Sequence, residues 1–335
     1  MIKRFDNFDL SAHNTFRMKV SCACYVEYDS VEDLFSLDFD SLPKPVVHIG
    51  GGSNLLFTQD FPGTVLHSAI HYIKYVDMGF DDVPVMVGSG VVFDDFVAQT
   101  CGHGLWGAEN LSLIPGEVGA AAIQNIGAYG VEVKDIISGV VCFDTLERKK
   151  VKFTVSECGY AYRDSMFKAA SHRYIVTSVL FRLSRTSGPR LEYKGVREAL
   201  GGVVPGHPQE VRDAIIRIRR EKLPDPAEKG SAGSFFKNPV VSAAKLAEIA
   251  ADYDTVPHYL LDGGFVKIPA AWLIDKAGFK AASEGGAAVY EKQPLVIVNE
   301  SGEASPSEII ALENRIIEGV RSRFGIELSP EVEHL

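Results

Sequence analysis

The chain has 335 residues, 46% of them hydrophobic and 23% charged, with a formal net charge of −10; that is length enough for two or three domains, each with its own core. Such a charge argues against nonspecific binding to nucleic acid, whose phosphates it would repel. No stretch approaches the ~18 apolar residues of a membrane span, and Met1 to Leu10 lacks the apolar core of a secretory signal, so a soluble cytoplasmic protein is expected.

In chain order, short β-like runs come first: Cys24 to Tyr28, Val46 to Ile49, Thr64 to Leu66, Val83 to Val87, Val140 to Phe143, Val151 to Thr154 and Tyr174 to Leu183. Helices are few among them. Ser30 with Asp33 reads as a cap leading into Leu34 and Leu37, and Val92 to Cys101 reads as a helix ended by Gly102. After about Gly188 the texture turns helical: Pro208 to Glu221, Ser242 to Ala251 and Ala270 to Ala277. Ser305-Pro-Ser-Glu308 then opens a helix whose apolar stripe runs through Ile309, Leu312, Ile316, Val320 and Phe324 to Gly325. The pattern is α+β, with Ser184 to Arg190 as the linker between halves.

Five cysteines, at 22, 24, 101, 142 and 158, form no CxxC pair, and Cys22 and Cys24 read as buried strand residues. The histidines show no metal-ligand spacing, so no bound metal is expected. Gly102-His-Gly-Leu-Trp-Gly107 matches GxGxxG by letter, but it follows a helix and precedes a Pro-Gly turn, the reverse of a dinucleotide fingerprint.

Two glycine-rich runs stand out. Gly50-Gly-Gly-Ser-Asn54 follows the apolar run Pro45 to Ile49, where consecutive backbone amides can form an anion-binding nest; a plain tight turn is the bland alternative. Leu113 to Gly130 holds four glycines in eighteen residues, with the amides of Gln124 and Asn125. Missing Cβ atoms let backbone approach a ligand, so this run reads as a binding loop, and a diphosphate held between both runs uses them coherently. Downstream, Tyr160-Ala-Tyr-Arg-Asp-Ser165 offers Arg163, a planar fork of donors suited to a carboxylate or developing enolate, or else paired with Asp164 or Glu157 at the surface. Gly230-Ser-Ala-Gly-Ser-Phe-Phe-Lys-Asn-Pro239 sets Ser234 between a glycine and two phenylalanines, a partly shielded hydroxyl with no histidine base near it in the sequence. Without that base a hydrolase nucleophile is disfavoured, and a turn-forming serine or a proton donor remains.

Together these motifs resemble the UDP-N-acetylenolpyruvoylglucosamine reductase family, from Asn14-Thr-Phe16 through Leu328-Ser-Pro-Glu331. The resemblance implies a flavin-binding fold of the vanillyl-alcohol-oxidase (PCMH) type in two subdomains, 1–70 and 71–187. A C-terminal α+β substrate-binding domain, 188–325, and a tail, 326–335, returning to the active site would follow. It implies FAD and NADPH as cofactors and a UDP-sugar as substrate, in a monomer that binds no nucleic acid and inserts in no membrane. FAD falls to Gly50, Gly51, Gly52, Ser53, Asn54, Ile114, Pro115, Gly116, Gln124, Asn125, Gly127, Ala128 and Tyr129. Arg163, Ser234 and Glu331 take the catalytic roles, Ser234 as proton donor. Tyr193, Arg219, Lys222, Asn238 and Gln293 align with positions that hold the UDP-sugar, and Tyr193 implies the variant that closes a tyrosine loop over it. On the residues alone, Arg217, Arg219 and Arg220 could equally form a solvated helix face, and Glu331 a solvated end. His48 and His103, near the glycine runs, leave covalent flavin attachment open. After Glu331 the chain departs from many members, with Glu-His-Leu where an arginine and large apolar residues are common.

Overall fold

Alternating burial along Ser21–Tyr28 puts Cys22, Cys24, Val26 and Tyr28 inside, the period of a half-buried strand. The computed structural model describes residues 1–76, 79–170, 172–193 and 195–335. It divides into two compact units interleaved along the chain: one comprises Met1–Phe8, Ser21–Gly51 and Phe61–Glu221, the other Asp9–Val20, Gly52–Asp60 and Lys222–Leu335.

In the first unit a four-stranded sheet has the order Lys3–Asp9, Ser21–Tyr28, Phe61–Ser68, Val46–Ile49, and the last three run parallel. A five-stranded antiparallel sheet follows, ordered Lys149–Phe153, Ile137–Asp144, Tyr174–Ser184, Asp82–Gly88, Ile73–Tyr75. The helix Phe93–Gly102 packs on it, and the Phe96 ring stacks on Phe181 at 4.3 Å. Val85, Val87, Val140, Val179 and Leu183 belong to the same apolar cluster. All five cysteines are free and buried, and Cys22 and Cys24 lie in the strand Ser21–Tyr28, as they were read.

In the second unit Gly230–Ser234, Val296–Asn299, Ala287–Val289 and Ser283–Glu284 form an antiparallel sheet. A smaller sheet orders Val240–Ser242, Phe265–Lys267, Tyr259–Leu260. Pro306–Phe324 is the long helix expected there, with Ser305 and Glu308 exchanging capping bonds and Gly325 left-handed at φ +61°. Its face of Ile309, Leu312, Ile316 and Val320 is fully buried. Glu333–His334 runs parallel to Leu55–Leu56.

The expected strands and helices lie within a few residues of their positions, and Val46–Ile49 coincides. The strand Lys3–Asp9 was not anticipated, because its only partly buried residue is Phe8 and no apolar alternation marks it. No helix among the described residues is long and apolar enough to cross a membrane.

Candidate active site

The two glycine-rich segments meet within the first unit. A Cβ on Gly50 would stand 3.0 Å from that of Ala120, and one on Gly51 3.5 Å from the Gly116 Cα. Small residues here keep backbone against backbone, which exposes peptide groups to a ligand instead of side chains. Gly52, in the second unit, has φ +63°, and a Cβ there would fall 2.1 Å from the His13 carbonyl oxygen. Only glycine fits that position.

The second run is not the continuous loop expected from its sequence: Val118–Gln124 is a helix. Packing makes it one. The Gly119 N–H donates to the Ser89 carbonyl at 2.9 Å, and the Val118 N–H to that of Val91 at 2.9 Å. A Cβ on Gly119 would meet that of Ser89 at 2.8 Å, while Ala121 and Ala122 are buried. Asn125 closes the helix in the left-handed region at φ +48°. Its amide nitrogen donates to the Ala161 carbonyl at 2.8 Å and its amide oxygen accepts from the Lys134 N–H at 3.2 Å. Around it, Gln124 and Gly127 are half-buried, Ile114 and Ala128 pack against the core, and Pro115 is exposed.

Arg163 sits at φ +55° in a turn closed by mutual backbone bonds of Ala161 and Asp164. Its guanidinium donates to the carbonyl oxygens of Gly127, at 2.8 Å, and Asn125, at 3.4 Å. The arginine motif and the second glycine run therefore form one cluster. Leu113, Asn125, Tyr129 and Arg163 all have positive φ, a conformation costing ~1–3 kcal/mol per non-glycine residue and concentrated at functional sites.

Tyr129 links this cluster to two expected substrate residues. Its ring meets Tyr193 edge-on at 5.5 Å, and its hydroxyl exerts an electrostatic pull on the Arg219 guanidinium. Burial lowers the Arg219 pKa, with Tyr129 opposing that shift, and its Nε has no hydrogen-bond partner among the described residues. Arg217 and Arg220 are exposed, and Arg217 bonds to the Ala199 carbonyl. Of the three arginines, Arg219 alone departs from the solvated-face alternative. Lys222 is exposed at the end of the same helix.

Three further pairs in the first unit escaped the sequence reading. Asp94 and Arg212 join the helices Phe93–Gly102 and Pro208–Lys222, with Nη2 to Oδ2 at 2.9 Å, and Asp94 also accepts from the Leu113 N–H. Burial opposes the Asp94 charge, yet Arg212 and that amide outweigh it and lower its pKa. Glu117, beside Gly50, bonds to His67 Nε2 at 2.8 Å, while Glu27 lies 3.6 Å from Nδ1. His48 meets the Tyr28 hydroxyl at 2.8 Å, and burial drives its pKa down to about 3. Partners 19 to 118 residues apart leave no local sequence signal.

In the second unit Ser234 ends the strand Gly230–Ser234, paired with Val296. It is exposed, not partly shielded as expected: Phe235 and Phe236 turn into the core and leave the serine on the outside. The segment carrying Glu331 lies alongside. The Glu331 N–H donates to the Phe235 carbonyl at 2.8 Å, and the Lys237 N–H to that of Ser329 at 2.9 Å. Asn54 Nδ2 donates to the Glu331 carbonyl at 3.1 Å. Asn54 is thus bonded to Glu331, and Glu331 to the residue that follows Ser234, with half-buried Ser53 preceding Asn54. Asn238 Oδ1 accepts from the Ala270 N–H at 2.9 Å at the start of the helix Ala270–Lys276. Gln293 is half-buried in the turn that precedes Val296.

A β-rich first unit with abutting glycine segments defines the class of an FAD-binding protein, and residues 38–145 match a family model described as an FAD binding domain. Residues 225–335 match the C-terminal domain of UDP-N-acetylenolpyruvoylglucosamine reductase. A reductase of that name from Bacteroides fragilis is 48% identical, over 97% of this chain and 98% of its own length. One from Chromobacterium violaceum is 44% identical over 96% of each. The crystal structure of the Thermus caldophilus reductase superposes with a TM-score of 0.69 at 23% identity, covering 100% of this chain and 98% of its own, and bears on the fold. The chain belongs to the UDP-N-acetylenolpyruvoylglucosamine reductase family. It is an FAD-dependent, NADPH-using oxidoreductase of peptidoglycan precursor synthesis.

Proposed function

We propose that this enzyme reduces the enolpyruvyl group of a UDP-N-acetylglucosamine derivative to the lactyl ether of UDP-N-acetylmuramate, with Ser234 as proton donor and Arg163 and Glu331 as electrostatic partners. Bound FAD, reduced by NADPH, would supply the hydride that the methylene carbon of the enolpyruvyl group gains. The hydride leaves carbanion character on the adjacent carbon, and Ser234 gives that carbon its hydroxyl proton, which solvent then restores. Arg163 polarises the substrate carboxylate and stabilises the enolate-like charge that precedes protonation, with Glu331 as its partner in the site.

The observation that carries this reading is the bond from the Glu331 N–H to the Phe235 carbonyl, which ties the carboxylate's backbone to the residue after Ser234. Exposure of Ser234 suits a donor that must reach a substrate carbon and recover a proton from water. The glycine segments Gly50–Asn54 and 114–129 hold FAD through backbone amides and the Gln124 and Asn125 side chains. Tyr193, Arg219, Lys222, Asn238 and Gln293 hold the UDP-sugar, the two cations facing its diphosphate. Segments 1–70 and 71–187 serve FAD, 188–325 the substrate and 326–335 returns Glu331 to the site. The enzyme acts as a cytoplasmic monomer.

Anaerobic half-reactions test the roles. In Ser234→Ala, NADPH should bleach the flavin at nearly the normal rate, while the enolpyruvyl substrate should reoxidise it at least about a hundredfold more slowly. Equal loss in both steps would remove Ser234 from proton donation.

A further inference from the structure

The segment that carries Glu331 is bonded along its length within the second unit. After the contacts of Ser329 and Glu331, the Glu333 N–H donates to the Asn54 carbonyl and the Leu335 N–H to that of Leu56, each at 3.0 Å. The Leu335 carbonyl accepts from the Thr58 N–H and hydroxyl, each at 2.8 Å. An ionic contact accompanies this ladder: His334 Nε2 lies 3.2 Å from Glu313 Oε2.

Glu313 occupies an unusual place for an acid. It lies on the helix Pro306–Phe324, only 5% exposed, beside the buried Leu312 and Ile316. Among the described residues its Oε2 has no hydrogen-bond partner beyond that ion pair. A carboxylate taken out of water needs a charged or donating partner, and His334 is the one supplied. The Phe235 ring, 6.2 Å from the imidazole, packs beside it.

We propose that His334 is a positioning residue: its ion pair with Glu313 fastens the segment on which Glu331, three residues earlier, is presented to the substrate. The catalytic consequence rests on the role given to Glu331 above. Of the elements packed against His334, the long helix offers Glu313, the strand Leu55–Leu56 offers no charge and Phe235 offers only its ring; Glu333 alternates to the other side of its own strand. The close contact with the Glu313 carboxylate raises the His334 pKa above the ordinary imidazole value, against partial burial. The sign follows. The charged pair is intact below the ordinary imidazole pKa and is lost as pH rises through the raised value.

The test uses the full chain with FAD bound. Hydrogen exchange of the peptide 327–335, corrected for intrinsic rates, should in the wild type speed up about threefold to tenfold between pH 6 and 9. His334→Ala should exchange fast throughout, and His334→Lys, with a permanent charge, should stay protected across the range. Flavin reoxidation by the enolpyruvyl substrate should fall in step with protection, while reduction by NADPH stays constant. Unchanged protection in His334→Ala would overturn the proposal, as would lost protection with normal reoxidation in a protein that Glu331→Gln does impair. Normal reoxidation in Glu331→Gln would instead defeat the Glu331 role, and exchange would still decide whether His334 fastens the segment.

Discussion

Arg163 holds left-handed backbone in a four-residue turn while its guanidinium spans the Asn125 and Gly127 carbonyls. An arginine fork fixed by two carbonyls is held in one orientation, so the role proposed for it would cost little side-chain entropy on binding. The motif was legible in the sequence because it is local, whereas its attachment to the glycine run was not. His67 is a clearer case of an illegible residue, since its partners come from Glu27 and Glu117. Burial opposes charge on this imidazole, but the hydrogen bond and fields of the two carboxylates outweigh it and raise its pKa. Folding therefore favours the protonated form, and its contribution is full below the unfolded imidazole pKa and disappears as pH rises through the folded one. His67→Gln should lower the melting temperature most at pH 6 and least at pH 9; an equal loss at both would show that His67 is neutral in the folded protein.

Helices divide by what specifies them. Pro306–Phe324 was legible at both ends because Ser305, Pro306, Glu308 and Gly325 are local signals and its apolar stripe has helical period. Val118–Gln124 has no such stripe, being mostly glycine and alanine, and its helicity comes from close approach to Ser89 and Val91. Strands were legible where burial alternates, and Lys3–Asp9, almost wholly exposed, offered nothing to read. The Ser305 hydroxyl accepts from the Glu308 N–H at 3.3 Å and the Glu308 carboxylate accepts from the Ser305 N–H at 2.8 Å. Ser305→Ala should cost about 1 kcal/mol in urea denaturation without changing FAD affinity. A loss of flavin affinity of more than about threefold would mean that the cap acts beyond its own helix.

The compact units are interleaved, because residues 9–20 and 52–60 join the unit dominated by residues 222–335. Segments this short carry no shift of composition, so the sequence reads as successive halves. The candidate site was legible as a set of motifs, each with its own chemistry, while the bonds joining them depend on long-range closure. FAD binding offers a measurement on the whole molecule, since a ligand that binds only the folded chain stabilises it by mass action. At a hundredfold excess over its Kd, FAD should add about 2.7 kcal/mol, raising the melting temperature by roughly 3 to 6 °C for a chain of this size. Gly50→Val should abolish most of that rise, because even a Cβ there would stand 3.0 Å from that of Ala120 and the two glycine segments would have to part. Ser234→Ala should keep the rise in full, since the serine is assigned to the substrate and not to the flavin. Both variants are compared with their own flavin-free melting points, which separates loss of binding from loss of fold. A full rise in Gly50→Val would mean that the flavin is held elsewhere than between the glycine segments.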